Sequence, residues 1–216
     1  MTWQLFSLLV QASGMTILIS TISILVGLGV AILLSAARLS HLRVLHGFTA
    51  LFISFFRGVP LLVQLLLLFN LLPALGISLS GFATAIIGLS LCTAAYQAEN
   101  LRGGFDAVPK GLIESADMAG FSPAQTFLRI RIPIALRLTF PALVNEAILI
   151  LKASSLVSVV GVIELTRMAQ NLSASTFMPV EIFASAGLIY LVINQVVSAI
   201  GRYAERRLPG MGQAAR

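Results

Sequence analysis

Long runs of apolar residues alternate with short polar segments along this chain, and the longest runs carry no charge. Residues 1–37 and 58–98 contain no Asp, Glu, Lys or Arg. Each run exceeds the roughly 20 residues that a helix needs to cross a bilayer. The pattern therefore predicts five membrane-spanning helices, at about residues 15–37, 51–72, 80–100, 140–162 and 181–203.

Between these spans the sequence predicts three further features. The segment LPALGISLSG divides the second uncharged run, because its Pro and Gly residues favour a turn. Residues before the first span, with Trp3 and Phe6, predict a short amphipathic lead at the membrane interface. Residues 161–179 lack the apolar density of a span, and they predict a short interfacial helix followed by a loop.

Composition supports a membrane protein and excludes several other classes. The 216 residues are 58% hydrophobic and 10% charged, whereas soluble domains carry about 25% charged residues. No repeat or soluble segment divides the chain, so we expect a single membrane domain over residues 1–216. The first run lacks a basic region ahead of it, which argues against a cleaved secretory signal.

The positions of the cations predict the orientation. With the N-terminus outside, eleven cations fall in cytoplasmic segments and only Arg167 falls outside, while Arg57 and Lys152 lie in or near spans. Short loops rich in Lys and Arg remain in the cytoplasm. The polar segment at about residues 106–136 and the C-terminus are therefore predicted to be cytoplasmic.

Metal and nucleic-acid chemistry find little support. Cys92 is the only cysteine, so one chain can build neither a disulfide framework nor a cysteine metal site. His41 and His46 have no second cluster of ligands nearby. The basic residues are spread singly, without the interleaved aromatic residues of a nucleic-acid surface.

The cytoplasmic segment predicts two short helices joined at an angle. Residues 109–119 begin with Pro, which suits a helix start, and Gly120 can end the helix in the left-handed conformation. Ser122 and Gln125 then have the spacing of a capping box. A second helix is expected to run to about residue 132 and to stop near Pro133.

These two helices suggest a surface for another protein. Ala116 and Ala119 are small and permit close approach, while Phe121 and Phe127 offer apolar anchors. A docking element and an ordinary interfacial helix pair are equally open from the residues alone.

Two charges lie within the fourth predicted span. Lys152 and Glu146 are six residues apart, about 240° around a helix, so they do not form a pair on one face. Ionisable residues at membrane depth usually face the bundle interior or a wet cavity, where Lys152 would supply donors and Glu146 acceptors. Satisfaction of either charge by a partner subunit or by backbone is the alternative. Ser154 and Ser155, beside Lys152, are candidates for the same cavity, although bonding to their own helix is the favoured use.

Two further charged sites lie at the ends of spans. Arg57, followed by Gly58 and Pro60, marks an expected kink and either reaches the cytoplasmic surface or lines an inner cavity. Glu99 and Arg102 are spaced to pair on one helix face.

The motifs in the cytoplasmic segment resemble a known signature. Glu114-Ser-Ala116, three residues, Gly120, nine residues and Ile-x-Ile-Pro133 resemble the EAA signature of ABC-type import permeases. The stretches FFRGVPLLVQ, AAYQAENLRGG, PKG, LKASSLVSVVGVIELT and ERRL, in this order, are similar to the polar amino-acid subfamily, the histidine, glutamine, arginine and opine type. The resemblance implies an all-α, polytopic type I importer domain in which Glu114, Ala116, Gly120, Phe121 and Pro133 belong to a helix that couples to a cytoplasmic ATPase.

The resemblance also implies partners. Two permease chains, identical or related, would pair in the bacterial inner membrane above two ATPase subunits that bind ATP and Mg, and a periplasmic protein would deliver the solute. This chain contains no G-x-x-x-x-G-K-[ST] loop, so we expect it to bind no cofactor and to be a transport subunit, not an enzyme.

The solute is less sharply defined than the class. The chain has Val59 and Ala153-Ser154 where the subfamily usually has Thr and Asp-Thr, and Leu112, Ser115 and Ile134 also depart from the pattern. A polar amino acid is expected, with an opine, an ectoine-like solute or a sulfur amino acid as alternatives. A stand-alone secondary transporter is disfavoured because paired repeats are missing, and a membrane enzyme because no catalytic cluster is evident.

Overall fold

The computed structural model describes residues 2–39 and 42–207, and all structural statements refer to these residues. They form helices joined by short connections. The α-helices are α1 Trp3–Leu39, α2 Arg43–Gly58, α3 Leu61–Ala74, α4 Gly81–Asp106, α5 Lys110–Met118, α6 Pro123–Thr126, α7 Ile132–Ala153, α8 Leu165–Thr176 and α9 Pro179–Arg207. A π-helical turn, Phe127–Arg131, joins α6 to α7, and a 3₁₀ segment, Ser154–Val160, follows α7.

Four helical stretches are long and apolar enough to cross a membrane. They are Trp3–Leu39, Gly81–Asp106, Pro123–Val160 and Pro179–Arg207. Helices α2 and α3 pass the same test only as a pair, and the chain bends by 106° between them. If the bent pair is one broken span, the described chain crosses five times.

Packing supports the interpretation of α2 and α3 as one broken span. Ile53 of α2 packs with Ala31, Ala98 and Leu101, whereas Leu65 of α3 packs with Ile19 and Leu89. The α1 residues Ile19 and Ala31 are twelve positions apart, which is about 18 Å along a helix. The two halves therefore follow successive levels of the bundle.

Helices α1 and α4 form the centre of the bundle and approach each other closely. Ser23, Gly27 and Ala31 recur along one side of α1, and all three are buried. A Cβ at Gly27 would overlap the side chain of Thr93 on α4. Small residues bring helix backbones together in lipid, where van der Waals packing drives association. This contact is the rigid centre on which the other helices pack.

The first helix corrects the prediction of a separate amphipathic lead. It is continuous from Trp3, and Leu9 is fully buried beside Leu165 of α8 and Ile182 of α9. The lead therefore packs on the bundle, because its apolar side finds the short helix α8 as a partner. Helix α8 is the short helix predicted within residues 161–179.

The predicted stop at Pro133 and the predicted start of the fourth span near residue 140 are also wrong. The chain stays helical from Pro123 to Val160. The turn just before Pro133 widens into a π-helix, in which Ile132 N–H donates to the Phe127 carbonyl. A proline ring clashes with the carbonyl four residues earlier in a regular helix, and the wider turn relieves that clash.

Candidate functional site

The predicted bend in the cytoplasmic segment is built by backbone hydrogen bonds around Gly120. Phe121 N–H donates to the Ala116 carbonyl, and Gly120 N–H donates to the Asp117 carbonyl, both at 3.0 Å. This is the Schellman arrangement, which requires a left-handed residue after the helix. Gly120 has φ of 76°, so the prediction of a left-handed glycine is confirmed.

The predicted capping box after the bend is confirmed as well. The Ser122 hydroxyl accepts from Gln125 N–H at 3.3 Å, and the Gln125 side-chain carbonyl accepts from Ser122 N–H at 2.8 Å. Pro123 occupies the first helical position, where its missing N–H costs nothing. Two helices therefore meet at a fixed corner.

The structure places the predicted coupling residues in different environments. Glu114 and Gly120 are exposed, while Phe121 is half-buried with the Arg129 guanidinium 5.9 Å from its ring centre. Pro133 is half-buried within the continuous helix. Ala116 is only 4% exposed, which corrects the expectation that another protein approaches its methyl group. Its small size instead serves the corner between α5 and α6.

Apolar side chains stand exposed around this corner. Met118 is 83% exposed and Leu128 is 63% exposed, and Leu112 is also exposed. Met118 and Leu128 could not be predicted as surface anchors, because isolated apolar residues in a polar segment carry no periodic signal. We call the surface formed by Leu112, Glu114, Met118, Gly120 and Leu128 the corner surface.

The corner is tied to the bundle by an aromatic contact and by close helix packing. The rings of Phe127 and Phe105 of α4 stack with centroids 5.5 Å apart. A Cβ at Gly104 would lie 2.9 Å from the carbonyl of Ala135 on α7, so α4 and α7 are in near backbone contact there. A displacement of the corner is therefore passed to α4 and α7 together.

The bend between α2 and α3 is stabilised by one amide side chain. The Gln64 amide nitrogen donates to the Phe56 carbonyl at 2.9 Å and to the Val59 carbonyl at 2.8 Å. Both carbonyls would otherwise lose their helical partners at membrane depth, where an unsatisfied polar group is costly. Arg57, Gly58 and Pro60 lie at this bend, as the predicted kink requires.

Two of the predicted pathway charges, Arg57 and Glu146, lie near the bend without forming an ion pair. Arg57 is exposed, its guanidinium lies 5.4 Å from the centre of the Tyr96 ring, and it is within electrostatic range of Glu146. Glu146 on α7 is only 6% exposed and has no hydrogen bond or ion pair with any residue of the described ranges. The side-chain carbonyls of Gln64 and Gln97 are likewise buried without a donor from the described chain.

The other predicted pathway residues lie at the end of α7. Lys152 is exposed, and no ion pair joins it to Glu146. The Ser154 hydroxyl donates to the Leu151 carbonyl at 2.7 Å, and the Ser155 hydroxyl donates to the Lys152 carbonyl at 2.8 Å. The favoured use of both serines, bonding to their own helix, is confirmed. Whether any of the five candidates, Arg57 and Glu146 included, lines a passage stays a prediction.

The predicted pair of Glu99 and Arg102 is confirmed and is larger than expected. The Arg102 Nε lies 2.6 Å from Glu99, and Arg102 also reaches Asp106 at 3.4 Å. Arg38 of α1 adds a contact of 3.2 Å to the other oxygen of Glu99. No local pattern could indicate this contact, because Arg38 and Glu99 are 61 positions apart.

A second unpredicted network lies at the opposite end of the bundle. Glu164 is fully buried, and its carboxylate accepts from the Thr166 and Arg167 N–H groups at 2.8 Å each and from the Tyr190 hydroxyl at 3.0 Å. Burial raises the pKa of Glu164, and these hydrogen bonds oppose the rise. Thr16 of α1 accepts from Leu165 N–H at 3.1 Å. The short helix α8 is thus fixed to α1 and α9.

The fold and these sites together indicate the class of protein to which the chain belongs. A multi-pass helical membrane protein with a broken span, an unpaired buried carboxylate and an exposed helical corner has the parts of a membrane transport component.

Comparison with known proteins identifies the family. Residues 23–209 match the family described as binding-protein-dependent transport system inner membrane component, and the chain belongs to it. It is a permease subunit of an ABC importer and has the type I importer fold.

Three known proteins show how far the similarity extends. The chain is 37% identical over 210 residues to the nopaline transport system permease protein NocM of Agrobacterium fabrum, covering 93% of this chain and 87% of NocM. It is 33% identical over 208 residues to the glutamine transport system permease protein GlnP of Escherichia coli, covering 95% of each chain. A crystal structure of an amino acid ABC transporter with histidines superposes with a TM-score of 0.84 at 32% identity, covering 94% of each chain.

Proposed function

We propose that this chain carries polar amino acids or opine-like solutes across the bacterial inner membrane, and that it receives the work for this at its corner surface. The observation that carries the proposal is the corner itself, a rigid exposed element joined directly to α4 and α7. In this proposal two ATPase subunits bind ATP and Mg beneath a pair of permease chains, and a periplasmic binding protein delivers the solute.

The corner has the properties that a docking element for an ATPase needs. Its shape is fixed by backbone hydrogen bonds on both sides of Gly120. Its exposed Met118 and Leu128 supply apolar area, which is the usual source of binding energy in a partner's cleft. The Phe105 and Phe127 stack and the contact of Gly104 with Ala135 give it a short path into the membrane helices.

The solute class is supported by the relatives and by the polar groups near the helix bend. NocM is named for nopaline transport and GlnP for glutamine transport. In this chain the unpaired carboxylate of Glu146 and the free side-chain carbonyls of Gln64 and Gln97 are acceptors for a cationic group. Arg57 and exposed Lys152 are donors for a carboxylate. Because an amino acid carries both groups, a passage near the bend fits it.

Cross-linking of single-cysteine variants tests the docking directly. Cys92 is the only cysteine of this chain, so Cys92→Ser gives a permease free of thiols. Met118→Cys on the corner surface should cross-link to the co-purified ATPase subunit through a short bifunctional reagent, because Met118 is 83% exposed. The measurement is the amount of permease–ATPase conjugate on a denaturing gel.

Val44→Cys is the matched control, since Val44 on α2 is also 83% exposed. It should give no conjugate with the ATPase. Equal conjugate yields at the two positions, or none at Met118, would contradict docking at the corner surface.

A further inference from the structure

A cavity of about 190 Å³ lies between α1, α2 and α4 at the end of the bundle predicted to be cytoplasmic. Its inner wall is apolar and includes Leu34, Ile53 and Phe105, which belong to the buried core. Its rim carries Arg38, Arg102 and His46. Neither the corner surface nor the polar groups near the helix bend use this cavity.

We propose that this cavity binds an anionic phospholipid of the cytoplasmic leaflet, with the lipid phosphate at the two guanidinium groups and the first part of an acyl chain against the apolar wall. Basic pockets between membrane helices on the cytoplasmic side are suited to anionic lipid headgroups. The proposal concerns a binding site of this chain and does not depend on the transported solute.

The guanidinium groups are held in place but are not used up by their ion pairs. Arg38 gives Nη1 to Glu99, and Arg102 gives Nε and Nη1 to Glu99 and Asp106. Each guanidinium carries five N–H donors, so both retain an Nη2 group for a phosphate. The two carboxylates fix the orientation of the donors, which lowers the entropic cost of binding an anion.

The charge balance around the rim is positive. Arg43 lies three residues before His46 on α2 and thus on the same helix face. Arg43 does not line the cavity but lies one helical turn from His46, so with Arg38 and Arg102 it gives three permanent cations near the cavity against the carboxylates of Glu99 and Asp106. A zwitterionic headgroup would gain less from this rim than an anionic one.

The depth and size of the cavity also suit a lipid. Arg38 lies in the last turn of α1, where a spanning helix leaves the membrane. Leu42 just before α2, and Val44 and Phe48 on α2, expose their side chains, as expected for a helix in the headgroup region. An apolar cavity of about 150 Å³ accepts a benzene-sized group, so this cavity accepts about six carbons of an acyl chain.

The test is native mass spectrometry of the full chain, purified in mild detergent with the subunits that remain attached. The probes are phosphatidylglycerol, phosphatidylethanolamine and soluble glycerol 3-phosphate. Wild type should retain phosphatidylglycerol about tenfold better than phosphatidylethanolamine, as the charge-assisted bonds predict.

Two variants separate the headgroup from the acyl chain. Replacing Arg38, Glu99 and Arg102 together by Gln removes one net positive charge, and the only carboxylate that loses an ion pair is that of the exposed Asp106. Ile53→Phe fills the apolar wall and keeps every charge. The charge variant should lose the preference for phosphatidylglycerol, and Ile53→Phe should lower retention of both lipids. Arg202→Gln, which removes one charge from the cytoplasmic end of α9, should keep both the preference and the retention.

Three results would overturn the proposal. They are equal retention of the two lipids by wild type, unchanged lipid binding in either cavity variant, and binding of glycerol 3-phosphate as tight as that of phosphatidylglycerol. The last result would assign the rim to a free phosphate and not to a lipid.

Discussion

Glu146 is a buried acidic residue within a membrane-spanning helix, and this environment indicates a function. A buried carboxylate without a hydrogen bond is costly at membrane depth, and such residues mark substrate or ion pathways. Arg57 is within electrostatic range but forms no ion pair with it. The cost is offset if a solute cation visits the carboxylate during transport.

Glu146→Gln should lower uptake of solutes that carry a guanidinium or a second amine by about tenfold, because a charge-assisted hydrogen bond is lost. Uptake of neutral amino acids should change less. Initial rates of radiolabelled solute uptake into proteoliposomes measure both.

Lys152→Met should lower uptake of all amino acids while the complex with the ATPase still forms.

Glu181→Gln is the control for Glu146, because Glu181 is an exposed acid in the first turn of α9. It should leave uptake unchanged. An equal loss for neutral and cationic solutes in Glu146→Gln would assign Glu146 to the structure of the bundle.

Features that depend on neighbouring residues could be predicted from the sequence, whereas contacts between distant residues could not. The left-handed Gly120 and the capping box of Ser122 could be predicted, because each depends on neighbours within four positions. The Arg38 contact to Glu99 joins residues 61 positions apart, and only the packing of α1 on α4 creates it. Glu164 was missed for a different reason, since Glu is not among the preferred capping residues.

Among the helices, the contact between α1 and α4 lies at the centre of the bundle, and α2, α3 and α7 pack on α4. It depends on small residues, and Gly27 is the closest of them to its neighbour. Gly27→Val should destabilise the bundle by about 1–3 kcal/mol, as overpacking of a close interface does. The thermal midpoint of the purified chain in detergent measures this.

Gly29→Val provides a matched control on the same helix, because a Cβ there meets no atom within 4 Å. It should leave the midpoint near that of wild type. If the two variants have the same midpoint, close approach of α1 and α4 is not what holds the bundle together.

The predicted helices were mostly right in position and wrong at their ends. Charge gaps located α4 and α9 within a few residues, because membrane depth excludes charge. The lead before residue 15 and the helix through Pro133 were missed, since both depend on tertiary partners: α8 for the first and a widened turn against α4 for the second. The expected kink after Arg57 is a bend of 106° in the structure. The Gln64 side chain stabilises it by donating hydrogen bonds to two backbone carbonyls at the bend.

In the whole molecule, the corner surface and the residues of the proposed solute passage belong to one group of packed helices. The corner surface stacks on α4 through Phe105 and Phe127, and α4 packs on both α1 and α7. Glu146 and Arg57 lie near the bend that faces this same unit. Movement of the corner would therefore change the surroundings of the buried carboxylate without requiring each helix to move alone.

The most direct test is solute-stimulated ATP hydrolysis by the reconstituted complex containing Gly120→Val. A β-branched residue at φ of 76° is strained, at a cost of about 1–3 kcal/mol. We expect solute to lose its stimulation of ATP hydrolysis in this variant, while the permease still inserts and folds. Gly111→Val is the control, because Gly111 lies in α5 with open space and ordinary φ. Stimulated hydrolysis at the wild-type rate in Gly120→Val would contradict the central claim that the corner surface couples this subunit to its ATPase.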